Sequence, residues 1–239
     1  MKERIVSKAN PRVKELVHLC SHPSPFSFLI EGKHMVDMAF ERGLLLELFS
    51  LKEVDYPGVK TTLIGEEALD KIAPSKTPSG IVGIAKAPSK EQAGDALVLD
   101  RVQDPGNVGT LLRSALSFGF KNVYFLPGTA SPFSSKALAS SQGAIFGLSL
   151  HFSLDPMETL DGLSAQGYFL LSTALRDAKP ISSFRRGEKR LALILGNEGR
   201  GIDGKILGRS DEKLYIEMEE MESLNVGVAG GIAMYLLRK

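Results

Sequence analysis

The chain has 239 residues, enough for one large domain or two small ones, and its 43% hydrophobic content is ample for a core. With 29 Lys and Arg against 28 Asp and Glu, the net charge of +1 excludes a uniformly basic nucleic-acid coat and gives no reason to expect an acidic partner. A single cysteine, Cys20, excludes an intramolecular disulfide framework and suits a reducing compartment.

In chain order, a charged start leads into no apolar segment of the kind a signal peptide needs. Residues 2–14 carry five basic residues (Lys2, Arg4, Lys8, Arg12, Lys14) against Glu3, a run that reads first as solvated surface. Asn10 and Pro11 open a helix with Val13, Leu16, Val17 and Cys20 on one face. FSFLI (26–30) reads as a strand, followed by a helix that ends near Gly43. LLLELFS and VKTTLI read as strands, EEALDKIA as a helix and GIVGIA as a last strand, so residues 1–90 form a small α/β unit. The polar, aperiodic stretch APSKEQAGD (Ala87–Asp95) reads as an interdomain linker.

From Ala96 apolar strands alternate with helices: ALVLD, NVYFLPG, GYFLLST, LALILGNEG and KLYIEM. That alternation predicts a parallel sheet covered by helices over residues 95–239. Each strand ends in polar or glycine-rich residues, at the sheet edge where open α/β folds bind ligands. Arg176–Arg190 holds six basic residues and Asp211–Glu222 six acidic ones, again surface runs by default. The last apolar stretch, Val226–Leu237, has 12 residues and three glycines, too short to span a bilayer. A soluble, cytoplasmic protein is expected.

Three stretches carry more than structure requires. In DPGNVGTLLRSA, Val108, Leu111, Leu112, Ala115 and Leu116 fit an amphipathic helix with Asn107 at its N-cap and Gly119 at its end. Arg113 falls about 140° round from Val108, off the apolar stripe. In LILGNEGRGI a strand runs into G-x-x-G-x-G, which is neither the dinucleotide fingerprint nor a P-loop. Its glycines permit close backbone approach to a ligand, and Glu198 sits among them. In ESLNVGVAGGIAMYLLRK, Ser223 can cap a helix, with Asn225 in the first turn supporting that cap. Each interior glycine of that helix costs about 1 kcal/mol relative to alanine, so another backbone is expected to pack closely there. His18, Cys20 and His22 have a metal-like spacing but, with Glu15 alone nearby, make a poor zinc set, so no metal is expected. His34 and His151 stand alone and read as structural or surface residues.

Taken together, Asn107–Arg113 (N-x-G-x-x-x-R), Gly196–Gly201 (GNEGRG) and Glu222–Ala229 (ESLNVGVA) resemble the three motifs of the SpoU/TrmH family of the SPOUT class. FLIEGKHMVDMAFERG and TPSGIVGIAK extend the likeness to the family's ribosomal-protein-like substrate-binding domain. The resemblance implies S-adenosylmethionine-dependent methylation of RNA ribose 2′-hydroxyls, with ribosomal RNA ahead of tRNA as substrate. It implies a catalytic domain whose C-terminal segment threads into a trefoil knot, preceded by a small RNA-binding α/β domain, and a homodimer. The cofactor would be held by Thr173, Ala174, Leu195, Gly196, Asn197, Gly199, Ile216, Met218 and Leu224, largely through backbone.

Under the same resemblance, Arg113 would clamp an RNA phosphate and steady developing alkoxide charge, since a guanidinium is a poor general base. Asn107, Ser223 and Asn225 would position ribose and arginine, and Glu198 would orient its loop. This chain departs from the family at Glu217, where I-P-M is usual, and at Ala139, where an arginine is common. Those departures leave a non-catalytic RNA-binding module as the alternative. A nucleotide-dependent α/β enzyme lacks its fingerprint.

Overall fold

The computed structural model describes residues 4–73, 75, 77–90, 92–221 and 223–239. The chain divides into two compact units, Met1–Pro88 with Pro132–Phe146, and Ser89–Ser131 with Gly147–Lys239.

The first unit runs β1 (Arg4–Ile5), α1 (Pro11–Ser21), β2 (Phe28–Glu31), α2 (Lys33–Glu41), β3 (Leu45–Ser50), β4 (Lys60–Ile64), α3 (Glu66–Ile72) and β5 (Ile81–Ala85). Its strands form a mixed sheet in the order β1-β4-β3-β5-β2, with β5 antiparallel to both neighbours. Asn10 caps α1 by accepting from Arg12 N at 2.8 Å, and Pro11 occupies a first-turn position that needs no N–H. Val13 and Leu16 then bury against Leu29, Phe49, Ile64 and Leu69. The N-terminal basic run is partly committed: Arg12 pairs with Glu15 and Glu47, and Lys8 lies 3.7 Å from Glu67.

The second unit begins with β6 (Ala96–Leu99), α4 (Pro105–Phe118) and β7 (Asn122–Phe125). The chain then returns to the first unit, and α5 (Ser135–Ser141) belongs there. This departs from a continuous second domain over residues 95–239. The reason is burial: Phe133 and Phe146 flank Phe28 of β2, with ring centroids 4.9 and 6.1 Å away.

Back in the second unit come β8 (Ser149–Phe152), α6 (Pro156–Ala165), β9 (Tyr168–Thr173), β10 (Lys179–Pro180), β11 (Arg190–Leu195), α7 (Gly204–Arg209), β12 (Glu212–Tyr215) and α8 (Val226–Leu237). Seven parallel strands lie in the order β10-β12-β9-β11-β6-β7-β8. The sequence pattern misses β1, β8 and β10, which lie at sheet edges. The central strands are apolar throughout because both faces are covered. Leu97, Leu99, Leu193 and Leu195 enter the core under α4 and α8, whereas Ala96, Val98, Ala192 and Ile194 enter the one under α6 and α7.

The expected linker is strapped down over much of its length. Ser149 Oγ donates to Lys90 O at 2.7 Å, Gln92 Nε2 to Gly147 O at 2.9 Å, and Tyr168 Oη to Gly94 O at 3.2 Å. Asp95 is buried and accepts from Leu191 N at 2.9 Å and from Arg186 Nη2 at 2.8 Å. Arg186 also donates to Leu237 O, so part of the second basic run clasps the end of α8 to the start of the unit.

Candidate active site

Chain order reverses across β6 and β11: one run of strands continues from β6 to β7 and β8, while β9, β11 and β12 lie on the other side. Such a switch point opens a crevice at the carboxyl ends of the strands. A cleft of about 520 Å³ lies there, lined by residues following β9, β11 and β12 and by the start of α8.

Its floor is the glycine loop. Asn197 and Gly201 exchange backbone hydrogen bonds of 3.1 and 2.9 Å, closing the loop on itself. Asn197 Oδ1 accepts from Gly199 N and Arg200 N, both at 3.0 Å. A β-carbon on Gly196 would collide with Ile202 N and stand 2.5 Å from Gly201 C, so closure requires glycine there. Gly201, at φ +69°, takes the left-handed turn.

Glu198 projects from this loop toward the start of α4. Its carboxylate accepts from Asn107 Nδ2 at 3.0 Å, Gln103 N at 3.3 Å and Asp104 N at 3.4 Å. Desolvation alone would raise its pKa. The hydrogen bonds from Asn107 and from the backbone of Glu198, Gln103 and Asp104 outweigh it and hold the carboxyl below its usual range. Asn107 Oδ1 in turn accepts from Asn225 Nδ2 at 3.0 Å, and Asn225 Oδ1 accepts from Gly227 N and Val228 N. One chain of side chains, Glu198–Asn107–Asn225, thus joins the glycine loop to the starts of α4 and α8.

Three local expectations change. Asp104, not Asn107, caps α4, with Gly106 N donating to Asp104 Oδ1 at 2.7 Å; Asn107 lies in the first turn with its amide free for Glu198 and Asn225. Proline at the first helical position was the available signal for that cap. Asn225, not Ser223, caps α8, because its side chain reaches both first-turn N–H groups. The close approach in α8 is to side chains: a β-carbon on Gly230 would collide with Leu111 Cδ2 and stand 2.6 Å from Leu195 Cδ1. Residues 110, 114 and 118 of α4 meet 227, 231 and 235 of α8 in steps of four, so the two helices run parallel along one ridge.

Thr173, Ala174, Leu195, Gly196, Asn197, Gly199, Ile216, Met218 and Leu224 all line the cleft, with Glu198 and Ser223. Asn107 and Asn225 adjoin it through the relay. Arg113 lies outside the lining, exposed on α4, with no ion-pair partner among the described residues. Glu217 is exposed and accepts from Ser182 Oγ, which holds its carboxyl below the usual range. Glu222 of the third motif lies outside the described residues. Sequence reasoning overlooked Leu175, Arg176, Ile202 and Tyr215 in the lining, although their place at or after strand ends was a signal for each. His18 and His22 stack at 4.2 Å, and no described group of three or more His, Cys, Asp or Glu could hold a metal ion. No described helix is long and apolar enough to cross a membrane.

Residues 95–235 match the SpoU rRNA Methylase family. The chain is 34% identical over 248 residues to the 23S rRNA (guanosine(2553)-2'-O)-methyltransferase RlmP of Bacillus subtilis, covering 99% of each chain. It is 25% identical to the 23S rRNA (adenosine(1067)-2'-O)-methyltransferase of Streptomyces laurentii, over 97% of this chain and 93% of the relative. An AdoMet-bound rRNA methyltransferase from Sinorhizobium meliloti superposes with a TM-score of 0.87 at 23% identity, covering 98% of this chain and 97% of that one, a likeness of fold.

Proposed function

The chain belongs to the SpoU rRNA methylase family, and from that premise we propose that it methylates ribose 2′-hydroxyls of RNA with S-adenosylmethionine, ribosomal RNA ahead of tRNA. The observation that carries this reading is the Glu198–Asn107–Asn225 relay, which draws three distant motifs to the edge of one cleft.

The cleft suits the cofactor. Its volume of about 520 Å³ falls within the range of small-molecule sites, and Leu195, Ile202, Ile216 and Met218 give it apolar walls beside open strand-end backbone. When bound, the cofactor supplies an electrophilic methyl group on a sulfonium. Thr173, Ala174, Leu195, Gly196, Asn197, Gly199, Ile216, Met218 and Leu224 hold it. Glu198, satisfied by three donors, orients the loop and the first turn of α4 and stays out of contact with the sulfonium. A carboxylate beside that positive charge would favour the ground state, in which the charge is still present.

Asn225 spends its amide on Asn107 and the start of α8, and Asn107 spends its own on Asn225 and Glu198, so they set the frame in which ribose is received. The Ser223 hydroxyl meets ribose, a reading supported by its exposure at the cleft. Arg113, exposed and without an ion-pair partner among the described residues, meets an RNA phosphate and steadies negative charge developing on the ribose oxygen. Chemistry of this kind needs no metal.

The unit containing residues 1–88 selects the RNA. The C-terminal segment threads as the family's knot does, a reading supported by α8 packing on α4 and β11. Exposed Leu224, Val228, Tyr235 and Leu236 make an apolar face that a second copy covers in a cytoplasmic homodimer. The decisive experiment is calorimetric titration with S-adenosylmethionine, joined to mapping of 2′-O-methylated positions in RNA from cells with and without the protein. A chain that binds no cofactor and changes no position refutes the reading.

A further inference from the structure

Residues 100–107 run alongside 197–203, and near the start of the first of these segments the backbone is strained. Arg101 is a non-glycine residue at φ +56°, a left-handed conformation that is sterically costly for a side chain with a β-carbon. Two attachments keep it there. Its guanidinium donates Nε and Nη2 to the two oxygens of Asp100, each at 2.9 Å, and the Asp100 side chain is only 3% exposed. Its carbonyl accepts from Asn197 Nδ2 at 2.9 Å.

Asp100 also holds the far side of the loop, where its Oδ2 accepts from Asp203 N at 2.8 Å. Asn197 stands near the start of the glycine loop and Asp203 just beyond its end, so the loop that carries Glu198 is fastened on both sides to the Asp100–Arg101 pair. Room for the fork is kept by Gly128, at φ +86°, where a β-carbon would come within 3.1 Å of Arg101 Cγ. A turn that merely joined β6 to α4 would call for glycine at +56°, not for a strained arginine on a buried carboxylate.

We propose that Arg101 is a positioning residue that sets cofactor affinity by locking the Gly196–Gly201 loop in the shape that lines the cleft. The proposal rests on the cleft being the S-adenosylmethionine site.

The test titrates the full chain with S-adenosylmethionine while following thermal unfolding. Glycine suits a φ of +56°, which offsets part of the loss of the guanidinium from buried Asp100, so Arg101→Gly is expected to stay folded while its Kd rises about tenfold. A purely structural role predicts only a lower unfolding temperature, with the Kd of the folded fraction unchanged. Arg101→Lys keeps the charge without the fork and should weaken binding by a smaller factor. An unchanged Kd in folded Arg101→Gly overturns the proposal. Should Arg101→Gly fail to fold, Arg101→Lys decides, and wild-type affinity in that variant overturns the proposal too. A wild-type chain that binds no cofactor overturns the proposed function, and this inference with it; cofactor binding with an unmoved Arg101→Gly overturns this inference alone.

Discussion

The loop at Gly196–Gly201 and the helix α8 are both rich in glycine, yet the glycines answer different constraints. In the loop the neighbours of a β-carbon on Gly196 are the backbone atoms Ile202 N and Gly201 C. In α8 the neighbours of one on Gly230 are the ends of Leu111 and Leu195 side chains, and Gly231 has only Ser114 Oγ at 3.5 Å. Backbone held in a closed hydrogen-bonded turn cannot retreat, whereas side-chain ends can change rotamer. Glycine content alone therefore says little about rigidity; the atom that a methyl would meet decides.

The sharpest break of that contrast is Gly196→Ala. Its methyl would force the Asn197–Gly201 bridge open, and we expect cofactor binding to fall below detection by calorimetry while the chain stays folded by circular dichroism. Next in size is Arg113→Ala, on the helix that α8 supports. Methyl transfer should fall about a hundredfold or more with unfolding and cofactor affinity nearly unchanged, and Arg113→Lys should restore little. Wild-type turnover in Arg113→Ala would make it a surface residue only.

Within α8 the two glycines should separate. Gly230→Ala is expected to destabilise by about 1–3 kcal/mol through overpacking on Leu111 and Leu195. Gly231→Ala should stabilise by up to about 1 kcal/mol, since helix propensity improves and Ser114 is at ordinary contact. Denaturant titration of both variants checks the difference in sign.

The smallest effect is a pH dependence at Glu198. Its carboxyl is held below the usual range in the folded chain, so the unfolded chain binds the proton more readily. The stabilisation is complete above the ordinary glutamate pKa of the unfolded chain and is lost as pH falls through the lower folded value. The stability gap between wild type and Glu198→Gln should accordingly be present at neutral pH and close in acid, as urea unfolding across that range would read.

Much of the fold was legible in the residues. Periodicity located α1 with its Asn10 cap, and continuous apolar runs marked β6, β9 and β11 as strands covered on both faces. Less legible were the edge strands: β1 and β10 have two residues each, too few for any period. Segment 132–146 also misled, because its apolar residues look the same whichever core receives them. The nine residues named for the cofactor fall along one cleft, since strand-end position is written in the order of strands and loops.

By itself, then, the sequence determined element types, the parallel sheet, and the glycine, asparagine and arginine positions from which a site could be built, because these follow from local pattern. Only the tertiary structure decided how they meet. The caps of Asp104 and Asn225 are local, but that Asn107 joins Glu198 to Asn225 depends on hydrogen bonds spanning 91 and 118 residues of chain. That Arg101 is strained onto Asp100 depends on a φ no composition reveals. Hydrogen bonds of this kind are set by distances between elements, and those distances exist only once the two faces of the sheet have packed.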